Sequence, residues 1–326
     1  MAVAEAILLR EHGGPDSLRV EAVETGRPGK GELLIRQTAA GVNFHDIYVR
    51  TGLYKTLALP GVPGIDGVGI VEAVGEAVEA FQTGDRIAYI SSEYGGYAAL
   101  RLLPAARAVK LPSFLDDVGA AASLLKGLTA HMLLRKVRQV QPGETILVHA
   151  AAGGVGQLLC RWASHLGATV IATVGSLEKA EVARAAGAQH LILYRGEDFV
   201  ARVRDITAGA GVAAVYDSVG ADTFHKSLDC LDYGGMLVNF GQSSGAVSPF
   251  SPSLLAARSS SVCRPILFHY LRDPVEAGLM FQDVFDAFRV GTLTPVKTLT
   301  LPLAQAAEAH RVLESGASPG GVVLIP

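Results

Sequence analysis

The residues best suited to chemistry lie in one stretch of small side chains that follows an apolar strand. Residues 145–156 read Thr-Ile-Leu-Val-His-Ala-Ala-Ala-Gly-Gly-Val-Gly, and the final six fit G-x-G-x-x-G with Ala151 at the first glycine position. Small residues are needed where a backbone approaches a pyrophosphate closely, and the N-terminus of the next helix supplies N–H donors and a favourable dipole. A helix expected over 155–166 and a second strand expected over 168–174 give this weak pattern its required context. We therefore predict a dinucleotide site with a turn formed by Gly153, Gly154, Val155 and Gly156.

The end of the second strand predicts which dinucleotide binds. Sites selective for NAD place an Asp or Glu at this strand end, about 20 residues beyond the glycines, to accept from the ribose 2′-hydroxyl. Here the strand ends in Gly175 and Ser176 without an acid, which leaves room for a 2′-phosphate and a hydroxyl to donate to it. Lys179 follows one helical turn later, and Tyr194 and Arg195 follow the third apolar strand, whose end should lie beside the same pocket. We predict NADP(H), bound at this end by Gly175, Ser176, Lys179 and Tyr194.

Hydrophobic patterning divides the 326 residues into two domains. Short alternating segments, punctuated by Gly and Pro, predict an antiparallel β domain over 1–123, with strands that include Arg86–Ile90 and Tyr97–Leu100. Alternating strands and helices over 124–266 predict a parallel, doubly wound sheet, so the fold class is α/β. The last segments, 267–326, are expected to return to the first domain.

Composition and charge exclude several classes of protein. The formal net charge of −3 argues against nucleic acid or an anionic membrane as a partner. No apolar run reaches the length of a membrane span, because charges such as Lys126 and Arg135 interrupt each one. The three cysteines form no Cys-x-x-Cys pair, so neither a disulfide framework nor a structural zinc site is expected. The first residues lack the basic segment of a signal peptide, and we expect a cytoplasmic protein.

Motifs along the whole chain resemble one family. They are Gly41-Val42-Asn43-Phe44-His45-Asp46, Gly84-Asp85-Arg86, Leu125-Lys126-Gly127-Leu128-Thr129-Ala130, Tyr216-Asp217-Ser218-Val219-Gly220 and Phe240-Gly241-Gln242-Ser243-Ser244-Gly245. With the glycine turn, they resemble the medium-chain dehydrogenase/reductase family and, within it, the zinc-independent NADPH:quinone oxidoreductases of the zeta-crystallin type. The resemblance implies a GroES-like β domain before a Rossmann domain, NADPH as cofactor, and reduction of a small-molecule quinone by hydride transfer without metal or flavin. It also implies a homodimer, joined through the sheet edge near Val262–Phe268.

Departures from the zinc-dependent alcohol dehydrogenases predict that no metal binds. Asn43 stands where that group has a catalytic cysteine, and Ile65 stands where it has the histidine of Gly-His-Glu. A catalytic zinc site needs three N, S or O ligands from the protein, and neither a neutral amide nor an isoleucine replaces those ligands.

The same resemblance assigns roles to residues outside the glycine turn. Tyr54 would donate to a quinone oxygen, and Asn43 and Tyr48 would contact the nicotinamide side, with Tyr54 and Asn43 counted as catalytic. Thr129 would face the carboxamide and Ser218 the adenosine half. The nicotinamide ribose would lie against Phe240, Gly241 and Ser243, at the carboxyl end of a strand, where open α/β sheets bind ligands.

Two other functions remain open at this point. One is reduction of an activated double bond, in an enone or enoyl thioester, by the same hydride in a different pocket, since fold does not separate these activities. The other is a non-catalytic NADPH-binding protein that accumulates structurally, senses redox state or binds AU-rich RNA, although the acidic balance weighs against RNA.

Overall fold

The structure is a computed structural model and describes residues 2–326. The chain forms two compact units: the first runs to Leu125 and also includes 272–285 and 295–326, and the second comprises 126–271 and 286–294. The sequence placed the boundaries at 123/124 and 266/267 and assigned 286–294 to the first domain. In the structure that short segment groups with the second unit, where Oγ1 of Thr292 lies 3.5 Å from Nε2 of His165.

The first unit is built mainly on antiparallel strands, numbered here along the whole chain. Its strands are β1 (Ala2–Leu9), β2 (Leu18–Thr25), β3 (Glu32–Gly41), β4 (Asp66–Val74), β5 (Arg86–Ile90), β6 (Leu100–Pro104), β7 (Ala108–Lys110), β14 (Thr298–Pro302) and β15 (Gly321–Ile325). β1 and β2 form a two-stranded sheet. The larger sheet has seven strands in the order β14-β15-β3-β4-β5-β7, with β6 paired to β3. Alternate residues of β3, such as Leu33 and Ile35, are fully buried in its core, as the alternating pattern predicts.

One predicted strand of this unit is wrong. Residues 97–99 form a bend with a single bridge, between Ala6 and Ala98, and β6 begins only at Leu100. The backbone N–H of Tyr97 donates to the carbonyl of Pro63 at 2.9 Å, while its own carbonyl accepts from Ile7 at 2.8 Å. Tyr97 therefore bridges two different segments and cannot extend a regular ladder.

The second unit contains a six-stranded parallel sheet. Its strands are β8 (Thr145–Val148), β9 (Thr169–Val174), β10 (His190–Leu193), β11 (Val212–Asp217), β12 (Leu231–Asn239) and β13 (Ser261–Cys263). They are ordered β10-β9-β8-β11-β12-β13, which is the 3-2-1-4-5-6 order of dinucleotide-binding sheets. Residues such as Leu147, Ile171 and Val215 are fully buried, because both faces of a parallel sheet are covered. The predicted α/β class is confirmed.

Nine α-helices of four residues or more occur within residues 2–326. They are α1 (Phe44–Thr51), α2 (Asp117–His131), α3 (Gly154–His165), α4 (Leu177–Ala185), α5 (Phe199–Ile206), α6 (Phe224–Leu228), α7 (Leu267–Tyr270), α8 (Pro274–Arg289) and α9 (Ala306–Glu314). None of the helices in this described part combines the length and apolar character needed to cross a membrane.

Candidate functional site

The glycine turn joins β8 to α3 at the carboxyl edge of the parallel sheet, beside the reversal of strand order between β8 and β11. Gly153 is the N-cap of α3, and no side chain caps this helix. A Cβ on Gly156 would lie 2.7 Å from backbone atoms of Ala151 and closer still to the carbonyl oxygen of Ala150, so only glycine allows this packing. The first N–H groups at this helix end are those of Gly154, Val155 and Gly156. The turn can therefore bind a phosphate through its backbone.

The end of β9 brings together side chains suited to a second phosphate. Ser176 is the N-cap of α4, and its Oγ accepts from the backbone N–H of Lys179 at 3.3 Å. A Cβ on Gly175 would lie 3.0 Å from Oη of Tyr194 and 3.4 Å from Nε of Arg195. The hydroxyl of Ser176, the phenol of Tyr194 and the guanidinium of Arg195 therefore lie around Gly175, and no acidic residue occupies this strand end. Arg195 was not among the residues predicted to bind, although it follows Tyr194 directly.

A buried carboxylate, Asp217, organises the loop after β11. Its Oδ1 accepts from the backbone N–H groups of Val219 at 2.8 Å and Gly220 at 3.1 Å. Its Oδ2 accepts from Nδ2 of Asn239, at the end of β12, at 3.2 Å. Asp217 and Asn239 thus hold the ends of two neighbouring strands in a fixed relation. Neither was predicted as a site residue.

The predicted residues at these two strand ends lie together. The carbonyl of Ser218 accepts from the backbone N–H of Ser243 at 3.2 Å, and a Cβ on Gly241 would lie 2.6 Å from that same carbonyl oxygen. The N–H of Phe240 donates to the carbonyl of Asp217 at 2.8 Å. The close approach at Gly241 leaves a backbone-lined surface at the carboxyl edge of the sheet, where such folds bind ligands.

His149, between β8 and the turn, is a buried polar anchor that sequence reasoning missed. Its Nε2 lies 2.9 Å from Oγ of Ser227, and because that hydroxyl donates to the carbonyl of Thr223, the ring must donate from Nε2. Its Nδ1 then accepts from Thr173, on β9, at 2.8 Å. Burial lowers the pKa of His149, against an opposing effect of Asp217, so the ring is neutral.

In the first unit, Asn43 is held at both its backbone and its side chain. It is the N-cap of α1, a helix that the sequence did not predict, and its backbone N–H donates to Oδ2 of Asp46 at 2.8 Å. Its Nδ2 donates to Oδ1 of Asp66 at 2.8 Å. The three side chains are buried, and the bond to Asp66 fixes the orientation of the Asn43 amide.

Tyr48 and Tyr54 also lie together in this unit, with ring centroids 5.0 Å apart and planes at 64°. The N–H of Tyr54 donates to the carbonyl of Tyr48 at 2.9 Å, which anchors the segment after α1. His45 packs against the edge of Tyr54, with 5.6 Å between ring centroids, and its Nε2 lies 3.0 Å from Oη of Tyr94. Burial lowers the pKa of His45 to about 4, so it is neutral at pH 7.

The remaining predicted residue, Thr129, lies inside α2 in the second unit and is 9% exposed. Residues predicted in the second unit fall into two groups, one at the turn and the end of β9 and one at the ends of β11 and β12. Those predicted in the first unit belong to one segment: Asn43 is the N-cap of α1, Tyr48 lies within this helix and Tyr54 follows it. Within residues 2–326, no group of three or more His, Cys, Asp or Glu side chains is arranged to hold a metal ion.

Known proteins match this chain over nearly its whole length. The family described as alcohol dehydrogenase GroES-like domain matches residues 29–113, and the family described as zinc-binding dehydrogenase matches residues 154–280. The chain is 41% identical over 327 residues to quinone oxidoreductase 1 of Escherichia coli, across 99% of this chain and 100% of that protein. It is 42% identical over 328 residues to 2-haloacrylate reductase of a Burkholderia species, across 98% of both.

A solved structure agrees with the same relatives. The crystal structure of Escherichia coli quinone oxidoreductase complexed with NADPH superimposes with a TM-score of 0.96 at 42% identity, over 99% of this chain and 100% of that chain. The chain belongs to the quinone oxidoreductase group of the medium-chain dehydrogenase/reductase family.

Proposed function

We propose that this protein is an NADPH:quinone oxidoreductase that reduces quinones by direct hydride transfer. One observation carries the proposal: β9 is followed by Gly175 and Ser176 with no acidic residue, beside Tyr194 and Arg195, and the neighbouring turn starts a helix that no side chain caps. The relative crystallised with NADPH supports the choice of cofactor.

The second unit fits the phosphates of this cofactor. The N–H groups of Gly154, Val155 and Gly156 would bind the pyrophosphate at the start of α3, and Gly153, whose own N–H donates to the carbonyl of Ala150 at 2.9 Å, would form the turn that leads into them. Ser176, Lys179, Tyr194 and Arg195 would bind the 2′-phosphate, which Gly175 leaves room to approach. A carboxylate at this strand end would repel that phosphate, and its absence favours NADPH over NADH.

Backbone and hydroxyl groups of the same unit would hold the rest of the cofactor. Ser218 would contact the adenosine half, and the close approach at Gly241 would accommodate the nicotinamide ribose, with Phe240 and Ser243 beside it. Thr129 would contact the carboxamide. Asp217 and Asn239 keep the loops that carry Ser218 and Gly241 in place by their hydrogen bonds at 2.8–3.2 Å.

The first unit would bind the acceptor and the reactive end of the cofactor. When bound, the reduced nicotinamide supplies the hydride that the acceptor takes up. Asn43, whose amide orientation is fixed by Asp66, and Tyr48 would contact the nicotinamide side. The hydroxyl of Tyr54 would donate to the quinone oxygen on which negative charge develops, and the edge contacts with Tyr48 and His45 hold that ring.

The residues at the zinc position of related dehydrogenases do not suit zinc. Ile65 is 2% exposed and has no ligand atom, and Nδ2 of Asn43 already donates to Asp66. We therefore assign no metal. A quinone suits such a site, because two-electron reduction gives an aromatic hydroquinone and needs no Lewis acid to be favourable.

A second candidate activity is reduction of an activated carbon–carbon double bond. The relative named 2-haloacrylate reductase, at 42% identity, favours it. NADPH oxidation should be measured side by side with 1,4-benzoquinone, 9,10-phenanthrenequinone, 2-chloroacrylate and crotonyl-CoA. The proposal expects the quinones to give the highest kcat/KM. Turnover of only the acrylate or the thioester would replace it with the second candidate, and tight NADPH binding without oxidation by any acceptor would indicate a non-catalytic protein.

We also propose a cytoplasmic homodimer. β13 (Ser261–Cys263) lies at the edge of the parallel sheet, and Ile266 beyond it is 48% exposed, which suits pairing with a second copy. Cys160 and Cys230 are buried free thiols, as expected in a reducing compartment. Light scattering at micromolar concentration tests the dimer, and a monomer mass would exclude it.

A further inference from the structure

We propose that Tyr97 and His310 are positioning residues for Asn43, acting through a directed chain of buried hydrogen bonds that begins at Arg50 and ends at Asp46. This inference rests on the proposed contact between Asn43 and the nicotinamide. Of the residues in this chain and its target, only Asn43 contacts the cofactor in the proposed reaction.

The direction of each hydrogen bond follows from the one before it. Nη1 of Arg50 lies 3.3 Å from Nδ1 of His310, and since a guanidinium only donates, Nδ1 must accept. The neutral ring therefore carries its proton on Nε2, which lies 3.1 Å from Oη of Tyr97. The single proton of that hydroxyl is directed to Oδ2 of Asp46, at 3.1 Å. Every donor in the chain therefore points toward the Asp46 carboxylate.

The carboxylate transmits this arrangement to Asn43. Oδ2 of Asp46, the oxygen that accepts from Tyr97, also accepts from the backbone N–H of Asn43 at 2.8 Å. The Tyr97 hydroxyl thus fixes the carboxylate oxygen that accepts from the N–H of Asn43, the N-cap of α1. Asn43 is then held from the other side by Asp66, which accepts from its Nδ2 at 2.8 Å.

Rigidity, rather than stability, is what such a chain supplies. Arg50, Tyr97, His310 and Asp46 are each at most 1% exposed, and Arg50 is neutralised by two hydrogen bonds to Glu314, at 2.6 and 3.1 Å. Buried charged networks cost desolvation and often contribute less to stability than apolar side chains of the same volume would. Burial, with the adjacent Arg50 charge, lowers the pKa of His310 to about 3, so its ring stays neutral and the chain keeps its direction at physiological pH.

Tyr97 itself is placed without freedom to adjust. Its backbone is bonded to Pro63 and Ile7, and its ring packs edge-on against His310 with 5.8 Å between centroids. A Cβ on Gly64 would clash with its ring at 2.5 Å, so Gly64 is needed for this close packing. Removing the hydroxyl alone therefore leaves the ring in place and interrupts the chain at one known bond.

The test compares two buried tyrosines of the first unit. Tyr97→Phe breaks the chain, whereas Tyr89→Phe removes an equally buried hydroxyl that donates to Gln37 and has no bond to the chain. Dissociation constants for NADPH are measured by fluorescence titration, with kcat, KM and the thermal midpoint for each variant. We expect Tyr97→Phe to weaken NADPH binding about 2- to 30-fold and to lower kcat, with the KM for quinone unchanged. Tyr89→Phe should match wild type in binding and kcat, even with a similar fall in thermal midpoint.

A double-mutant cycle with Asn43→Ala separates positioning from general damage. If Tyr97 acts through Asn43, adding Tyr97→Phe to Asn43→Ala should cause no further loss of NADPH affinity. His310→Leu removes the donor to Tyr97 and should give the same pattern, and it replaces Tyr97→Phe if that variant does not fold. The inference would be overturned if the affinity losses of Tyr97→Phe and Asn43→Ala multiply in the double variant. It would also be overturned if Tyr97→Phe and His310→Leu bind and turn over NADPH like Tyr89→Phe. Neither result would affect the proposed function. An Asn43→Ala variant with wild-type affinity and kcat would overturn the proposed role of Asn43 together with the inference.

Discussion

Two substitutions in the glycine turn should separate the packing role of one glycine from the phosphate-binding role of another. Gly156 is packed against backbone, where a Cβ would lie 2.7 Å from atoms of Ala151. Backbone cannot move aside cheaply, so Gly156→Ala should lower the free energy of unfolding by about 1–3 kcal/mol, the usual cost of overpacking.

Gly153 differs because it is exposed and lies in extended backbone, with φ −72° and ψ 170°, which any residue adopts. The nearest atom to a Cβ there is the carbonyl oxygen of Ala150, at 3.1 Å. In Gly153→Ser the new hydroxyl becomes an N-cap acceptor for α3, so stability should stay within about 1 kcal/mol of wild type or rise. The same hydroxyl occupies the N–H groups that the pyrophosphate needs. Loss of one such charge-assisted bond, about 1.5–3 kcal/mol, weakens NADPH binding by about 10- to 150-fold.

The protein contains a convenient probe for both quantities. Its single tryptophan, Trp162, is 3% exposed within α3, so its fluorescence reports unfolding of the unit that carries the turn. For a unit of this size, the expected loss in Gly156→Ala lowers the thermal midpoint by about 2–12 °C. NADPH titration of the folded variants gives the affinities. A Gly153→Ser variant that binds NADPH like wild type would refute the assignment of the turn, and a Gly156→Ala variant of unchanged stability would refute the packing argument.

Three further outcomes are expected. Arg195→Gln should raise the KM for NADPH about 10- to 100-fold and leave the KM for NADH unchanged, because it removes a charged donor to the 2′-phosphate. Steady-state kinetics with both cofactors checks this, and an equal rise in the two KM values would contradict it. Tyr54→Phe should lower kcat/KM for quinone about tenfold or more without changing NADPH affinity, and unchanged quinone turnover would exclude the assigned donor. Burial lowers the pKa of His310 from 6.5 to about 3, so the unfolded state takes up this proton first as the pH falls. The stability that the neutral His310 ring contributes is complete above pH 6.5. Between pH 6.5 and pH 3 the free energy of unfolding falls by about 1.4 kcal/mol per pH unit because of this group. Urea denaturation over this range should show a smaller slope in His310→Gln, and an unchanged slope would contradict the assignment.

The second unit could be predicted well because its local signals agree. β11 (Val212–Asp217) coincides with a continuous apolar run between turn residues, which is the pattern of a buried parallel strand. α3 begins at Gly154, one residue before the predicted start, because Gly153 adopts the extended backbone of an N-cap. The site residues at strand ends follow from the same regularity.

The first unit was harder to predict because its site depends on contacts distant in sequence. Tyr97 bonds to His310, 213 residues away, and this tertiary arrangement turns a predicted strand into a bend. α1 was missed although one signal was present: Asn43 followed three residues later by Asp46 is a capping pattern for a helix start. The anchoring roles of His149 and Asp217 had no local signal, because a polar residue at a strand end reads equally as a ligand or as a solvated turn.

The central claim is that the cofactor carries a 2′-phosphate bound beside Ser176 and Arg195, and that its hydride reaches a quinone without a metal. The most direct test is kcat/KM for 1,4-benzoquinone with NADPH and with NADH, measured on enzyme freed of metal by a chelator. We predict full activity after chelation and a preference for NADPH of about tenfold or more, the value of one charged contact to the extra phosphate. Equal use of the two cofactors, or activity that disappears on chelation and returns with zinc, would contradict the account.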